Sequence, residues 1–409
     1  MSTISASTTS TTAYKVTADT TGTLVLQTGA TPTTAVTVSS AQVVTLSQAL
    51  PEASGGTGTS TGYYGFKNRI INGAMVFDQR NAGASVTPTA DNTYTLDRWK
   101  TRNGGGAGRF SVIQSSTSAA NFPTSVLLTV TTTSAPSGVE IYGFEQDIEG
   151  YNITDFGWGT ANAQAVTLSF QVRSSLTGTY CISIRNSAAD RSYVAEFTIN
   201  SANTFETKTI TVPAITTGTW LSTNGAGLLF LVCLGSGSTR EGTAGSWQSS
   251  NIVATSNQVD WINTSSATFY ITGVQLEKGS TATSFDYRPY GTELTLCQRY
   301  YYRDTPPGTG LTVGGNGTCI SATQANVNCE FPVPMRDRPT ALEQSGTATD
   351  YSVGDIGAIA CSAVPAFANA SVYRSIVTIT VASGLTLGFA MRFRAANGTA
   401  GYLGWSAEL

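Results

Sequence analysis

Between residues 69 and 276 the sequence repeats one pattern that leaves little choice of fold. Short runs of alternating or continuous apolar residues, rich in Val, Ile, Leu, Phe and Thr, recur at close spacing with Gly, Asn and Ser turns between them. They lie at 69–77, 109–114, 125–131, 139–144, 165–173, 180–185, 192–199, 207–212, 227–234 and 267–276. A period of two places successive side chains on opposite faces of a sheet, and no stretch here keeps the 3.6-residue period of a helix. Such a chain must fold as a β-sandwich or barrel. About 230 residues suit a jelly-roll sandwich, so 63–290 is expected to form one.

The flanking segments need help to fold. Residues 1–62 show alternation at Leu24, Leu26, Val36, Val38, Val43 and Leu46, yet Tyr14 is their only aromatic residue. So little bulk cannot close a core alone, and one core shared among several copies of the chain is the economical solution. A flexible Ser/Thr-rich tail is the alternative. The stretch 53–62, ASGGTGTSTG, is a flexible connection. Residues 291–304 predict the one helix, a neck capped by Thr292, with Leu294, Cys297 and Tyr301 on one face and Pro306 and Pro307 as its stop. Residues 305–409 return to strands and predict a small C-terminal sandwich. The expected fold is all-β, with a shared oligomeric core, a central jelly roll, a neck helix and a tip domain.

Composition then removes whole chemistries. The 409 residues contain no histidine, which excludes Ser-His-Asp and Cys-His hydrolysis, His-based zinc sites and His-held haem. Only carboxylate chemistry is left to an enzyme. Charged residues make up 11%, against about a quarter in an average soluble protein, and the net charge is −3. That balance offers no basic patch for a phosphate backbone, so no nucleic-acid partner is expected. The longest apolar run, 228–234, is too short to span a bilayer, so no membrane insertion is expected. The start, MSTISASTTSTTAYK, lacks the basic and apolar regions of a secretory signal, and synthesis in a cytosol is expected. The six cysteines form no C-x-x-C pair and read as free, buried thiols, although Cys319 and Cys329 could face each other on paired strands. No cofactor motif and no calcium-loop motif occurs, so neither cofactor nor metal is expected.

Two sets of residues could carry function. Glu145, Asp147 and Glu149 alternate along FEQDIEG and share one side of a strand; their place before Gly150 reads as a solvated strand end rather than a catalytic pair. Trp158, Trp220 and Trp247 each lie in a Gly-flanked, loop-like stretch. Indole rings in loops can stack on the apolar faces of sugar rings, or they can plug the end of a sandwich. These three are the candidate ligand-binding residues, and no catalytic residue is expected.

Residues 68–99, NRIINGAMVFDQRNAGASVTPTADNTYTLDRW, continue into FEQDIEG (144–150), VTLSFQVRSS (166–175) and ITGVQLEKGSTATSFDYRPYGTELTLCQRYYYR (271–303). This concatenation resembles the recurring module of bacteriophage tail fibre and tail-associated receptor-binding proteins, whose jelly roll looks like a carbohydrate-binding module. The Thr/Ser-rich 17–46 is similar to segments that attach such fibres to the particle, and FPVPMRDRPT (331–340) is loosely similar to the start of their tip domains. The resemblance implies a homotrimeric virion protein, made in the host bacterial cytoplasm and exposed outside it. It further implies docking through the N-terminus on the tail, baseplate or an adaptor, and binding of host surface polysaccharide by jelly roll and tip. A glycan-cleaving spike using two carboxylates and a purely structural spacer are the alternatives.

Overall fold

A computed structural model describes residues 24–28, 33–39, 41, 44–46, 66–354 and 358–409. The chain divides into two compact units, Met1–Gly65 and Phe66–Leu409. In the first, β1 (Leu24–Thr28), β2 (Thr33–Val38) and β3 (Val44–Leu46) form an antiparallel sheet in the order β1-β2-β3. Val25, Leu26, Val44 and Leu46 are exposed on it, so this sheet does not bury its own apolar residues. Tyr14, Val43 and the connection 53–62 lie outside the described residues.

The second unit holds two lobes. Its larger lobe contains β4 (Thr93–Tyr94), β5 (Lys100–Gly104), β6 (Arg109–Ser115), β7 (Ser125–Thr132), β8 (Ile141–Glu149) and β9 (Val166–Ser174). After these come β10 (Gly178–Arg185), β11 (Ser192–Ile199), β12 (Glu206–Val212), β13 (Ala226–Ser236), β14 (Trp247–Gln248) and β15 (Thr268–Lys278). They make a seven-stranded sheet, β14-β11-β10-β13-β8-β5-β4, and a five-stranded sheet, β12-β9-β15-β7-β6. The chain changes sheet after β5, β7, β8, β9, β11, β12 and β14, the wiring of an antiparallel sandwich rather than a meander. The core between the sheets is aromatic: Trp99 stacks on Phe144 at 5.1 Å and Phe110 meets Trp261 edge-on at 5.8 Å, all but unexposed. Each such side chain contributes about 1.5–3 kcal/mol by burial.

Expected strands match observed ones except at the start. Residues 69–77 are an irregular segment, not a strand. It is sewn to β15 instead: Asn68 accepts from the Leu276 N–H and donates to the Val274 carbonyl, and the Val274 N–H donates to Gly73. Asn72, with φ +56°, binds Phe77 at both main-chain groups and also the Asp97 carbonyl. A Cβ on Gly73 would lie 2.2 Å from the Val274 oxygen. Asn-Gly is thus required here by side-chain capping and close backbone approach.

The helix is shorter than expected. α1 spans Tyr290–Gln298 with Pro289 as its N-cap, so Thr292 lies inside it and Pro306 does not end it. What ends it is strand pairing: β16 (Tyr301–Asp304) joins a strand from the far end of the chain. The 291–304 neck is therefore a helix on the larger lobe, where Cys297 and Tyr300 pack with Ile71 and Phe77, followed by the first strand of the smaller lobe.

That smaller lobe adds β17 (Thr312–Cys319), β18 (Gln324–Glu330), β19 (Glu343–Gln344), β20 (Tyr351–Val353) and β21 (Ile359–Ala360). It closes with β22 (Ala366–Ala370), β23 (Arg374–Thr380), β24 (Ala390–Ala395) and β25 (Leu403–Ser406). A seven-stranded sheet, β21-β20-β24-β17-β18-β23-β22, accompanies a three-stranded one, β16-β25-β19, over a core around Phe393 and Trp405. All six cysteines are free and buried; Cys319 pairs with Ala325 and Cys329 with Ser375, so those two thiols do not face each other. Among the described residues no helix is long and apolar enough to cross a membrane.

Two glycines test the backbone argument. Gly73→Ala should cost about 3 kcal/mol by chemical denaturation, because the Val274 carbonyl cannot move aside cheaply. Gly291→Ala, in the first turn of α1 with nothing within 4 Å, should instead be neutral or stabilise by up to about 1 kcal/mol.

Candidate functional site

The three tryptophans, more than 60 residues apart at the first step, are brought together. Trp158 follows a 3-10 turn at Thr154–Phe156, Trp220 closes the loop after β12, and Trp247 sits on the edge strand β14, paired with Tyr193 of β11. Ring centroids are 4.7 Å apart for Trp158 and Trp220, 5.3 Å for Trp158 and Trp247, and 5.6 Å for Trp220 and Trp247, all edge to face. Aromatic quadrupoles favour this arrangement. Gly159, at φ +81°, makes it possible: a Cβ there would lie 2.6 Å from the Gly218 carbonyl, so the loops bearing Trp158 and Trp220 can cross only at glycine.

Within the cluster the rings have different duties. Trp158 is 6% exposed and belongs to the core; Trp220 and Trp247 are half-buried. Each indole N–H is already committed to a main-chain carbonyl, Trp158 to Gln164 at 2.7 Å, Trp220 to Thr217 at 3.2 Å and Trp247 to Pro213 at 2.9 Å. Ring surface is what they have left to offer a ligand. Polar groups border it: Arg191 lies over Gly218 and donates to Thr217 Oγ1 and the Asp190 carbonyl, and Thr160 and Asn162 are exposed nearby in sequence to Trp158. Tyr193 escapes a sequence reading because only the β11–β14 register places it beside Trp247, and Arg191 because only the fold brings it to the Thr217–Gly218 turn before Trp220.

The acidic triplet departs from expectation. Glu145, Asp147 and Glu149 are not a solvated strand end; they are buried, 0%, 4% and 1% exposed, on the outer face of the seven-stranded sheet. Pairing explains this, because β5 sets Lys100 opposite Glu145, and β10, on the far side of β13, brings in Arg185. Lys100 Nζ lies 2.5 Å from Asp147 and 3.4 Å from Glu145; Glu145 also meets Arg185, and Arg102 at 3.2 Å. Glu149 accepts from Arg299 at 2.6 Å and from the Tyr300 hydroxyl at 2.5 Å. The rest of that face is roofed by Ile252, Val253 and Ala254, which lie on Cys181, Val194, Leu231 and Cys233. Protein therefore fills the outer sheet face, and its carboxylates are engaged by cations rather than set across a groove. Among the described residues no group of three or more metal-ligating side chains occurs.

No family model matches the chain, and no curated protein matches it. Solved structures share it loosely. A protein of Bacteroides thetaiotaomicron VPI-5482 described as sugar binding is 11% identical, covers 52% of this chain and 99% of its own, and superposes with a TM-score of 0.31. The enzymatically active domain of bacteriophage CBA120 tailspike protein 4 is 14% identical over 52% of this chain and 21% of its own, at 0.24. The family 11 carbohydrate-binding module of a Clostridium thermocellum cellulosomal cellulase is 11% identical over 49% and 98%, at 0.25. Scores this low transfer neither a function nor a binding position.

Burial tunes the acids unequally. Burial raises Asp97 to about 6 against the opposing pull of Arg80 and Gln79, and burial followed by the charge of Glu145 raises Asp147 to about 6. Burial also pushes Glu145 up, but Arg185, Arg102 and Lys100 together hold it below its ordinary value. A raised pKa means that the folded chain holds the proton more tightly than the unfolded one. The stability from Asp97 and Asp147 is therefore full below about pH 4 and lost as pH rises through about 6. Glu145 has the opposite sign, contributing above its ordinary value of 4.5 and losing that as pH falls further. The unfolding free energy should fall by roughly 2–3 kcal/mol per raised group between pH 4.5 and 7. Urea titrations across that range check this, and Asp97→Asn should flatten the slope.

Proposed function

We propose that this chain is a receptor-binding fibre protein of a bacteriophage virion that adsorbs the particle to a surface glycan of its bacterial host. The observation that carries the reading is the convergence of Trp158, Trp220 and Trp247 into one cluster whose outer rings, Trp220 and Trp247, remain half-exposed beside Arg191. Flat apolar rings bordered by a guanidinium suit a pyranose ring, which has an apolar face and an equatorial belt of hydroxyls. The N-R-I-I-N-G to Q-R-Y-Y-Y resemblance supplies the virion context.

In this reading the chain is a homotrimer. The exposed Val25, Leu26, Val44 and Leu46 of the N-terminal sheet support it, since their burial needs a second surface. The N-terminal unit docks on the tail, baseplate or an adaptor, and the protein is made in the host cytoplasm and displayed outside it. We propose binding without cleavage, because the candidate carboxylates are paired with Lys100, Arg102, Arg185 and Arg299. Weak single sites would be multiplied by linkage of the copies.

The test is cell binding by the purified full-length chain, with its mass measured on the same sample by light scattering. A mass near three chains and saturable binding to bacteria or their extracted polysaccharide are expected. Trp220→Ala and Trp247→Ala should each weaken binding of the isolated polysaccharide about tenfold, near 1.4 kcal/mol. Variants that bind as the parent does would remove the tryptophans from the site. Release of new reducing ends from the polysaccharide would replace binding with cleavage.

A further inference from the structure

The two lobes of residues 66–409 touch along the contacts of Glu408 with Arg80 and Arg98, and beside these contacts they leave a cavity of about 420 Å³. That is within the roughly 300–1,000 Å³ of small-ligand pockets, which favour boundaries between domains. Tyr94 of the larger lobe forms one wall, and the segment 336–343 with Ser406 and its neighbours forms the other. The frame is fixed by hydrogen bonds. Arg336 donates to the carbonyls of Ala407 at 2.7 Å, Glu408 at 2.8 Å and Asn224 at 2.8 Å. The Tyr94 hydroxyl donates to the Leu409 carbonyl at 2.7 Å, and that of Tyr301 donates to Glu343 Oε2 at 2.8 Å.

Onto this frame open groups with capacity to spare. Arg338 is exposed, and only its main-chain N–H is engaged, by Asp337; its guanidinium and the hydroxyls of Thr340 and Ser406 have no hydrogen-bond partner among the described residues. The side-chain charges balance, since Arg336 and Arg338 stand against Asp337 and Glu343, while the Glu408 carboxylate is taken up by Arg80 and Arg98. A balanced wall gives no net pull on an ion, and an apolar guest would strip water from polar groups without replacing it. Interspersed donors and acceptors match hydroxyl groups, each of which donates and accepts.

We propose that this cleft between the lobes is a second carbohydrate site, taking a neutral one- or two-ring segment of a glycan. The assignment rests on the glycan-binding reading but not on the tryptophan cluster. Arg338, Asp337 and Glu343 are its ligand-contacting residues, and Arg336 is a positioning residue.

The experiment is calorimetric titration of the full-length protein with a panel of neutral hexose disaccharides and their glucuronate-containing counterparts. Four proteins are compared: the parent, the Trp220→Ala/Trp247→Ala double variant, and that double variant carrying Arg338→Ala or Ala341→Trp. Arg338 and Ala341 are exposed, so unchanged melting temperatures and far-UV spectra confirm that those variants fold. Saturable binding of a neutral disaccharide by the double variant is expected, weakened about tenfold when Arg338→Ala is added to it and abolished when Ala341→Trp is added to it. The proposal is overturned if the double variant binds no disaccharide, if both cleft variants bind as the double variant does, or if glucuronate forms bind better than neutral ones. Loss of polysaccharide binding in the tryptophan variants alone would overturn the cleft and leave the fibre reading standing.

Discussion

The structure of residues 66–409 depends on an ionic ladder that water does not reach. Glu145, Asp147 and Glu149 lie buried along β8, and the cations paired with them come from β5, β10 and the end of α1. Ion pairs taken out of water gain little over a well-packed apolar core, but removing one partner strands a charge and costs about 3–5 kcal/mol. The ladder therefore acts less as glue than as a key. The observed register of β5 and β10 against their neighbours is what brings a cation to Glu145 and Asp147. It also fixes the smaller lobe, because Arg98 reaches from the main chain of Asp147 to Glu408, and Arg299 and Tyr300 lead from Glu149 directly into β16. In a chain with 11% charged residues, placing so many of them inside leaves a surface of hydroxyls, amides and glycine.

This internal use of charge explains what could be read from the sequence and what could not. Alternation exposed the strands of both lobes because β-branched and aromatic residues repeat at a period of two wherever one sheet face meets a core. The same rule misread Glu145, Asp147 and Glu149, since alternating acids before a glycine look identical whether they face water or a row of arginines. Their partners are separated from them by tens of residues or more, and nothing local marks the pairing. Residues 69–77 were misread for a related reason: they are apolar and buried, but their hydrogen bonds run through Asn68 and Asn72 side chains instead of a ladder. The helix after Pro289 was legible as a helix. Its end was not, because β25, about a hundred residues later, claims Tyr301–Asp304.

The tryptophans were legible one at a time, as rings in glycine-flanked loops. Their convergence was not, because it depends on the β11–β14 register and on the crossing of two loops at Gly159 and Gly218. The folded chain divides these residues between a plug and open ring surface. Trp158 plugs the sandwich at 6% exposure, and in doing so supports Trp220 and Trp247, which retain open surface. A ring that stacks on a sugar must be held rigidly if ordering it is not to offset the contact, and a buried edge-to-face partner with a committed indole N–H holds it.

Filling the outer sheet face has a consequence for where recognition can occur. A jelly roll has two sheet faces and two loop ends, and here one face is closed by the Ile252–Ala254 stretch, the ion ladder and the smaller lobe. A ligand is left with the outer face of the five-stranded sheet, where Gln171, Arg173 and Tyr270 are half-buried, and with margins: loop ends such as the tryptophan cluster, and seams such as the cleft between the lobes. Margins make small sites of modest affinity. Small sites become effective when they are repeated on one particle, because a second engagement is then intramolecular and its effective concentration reaches the millimolar range for short linkages.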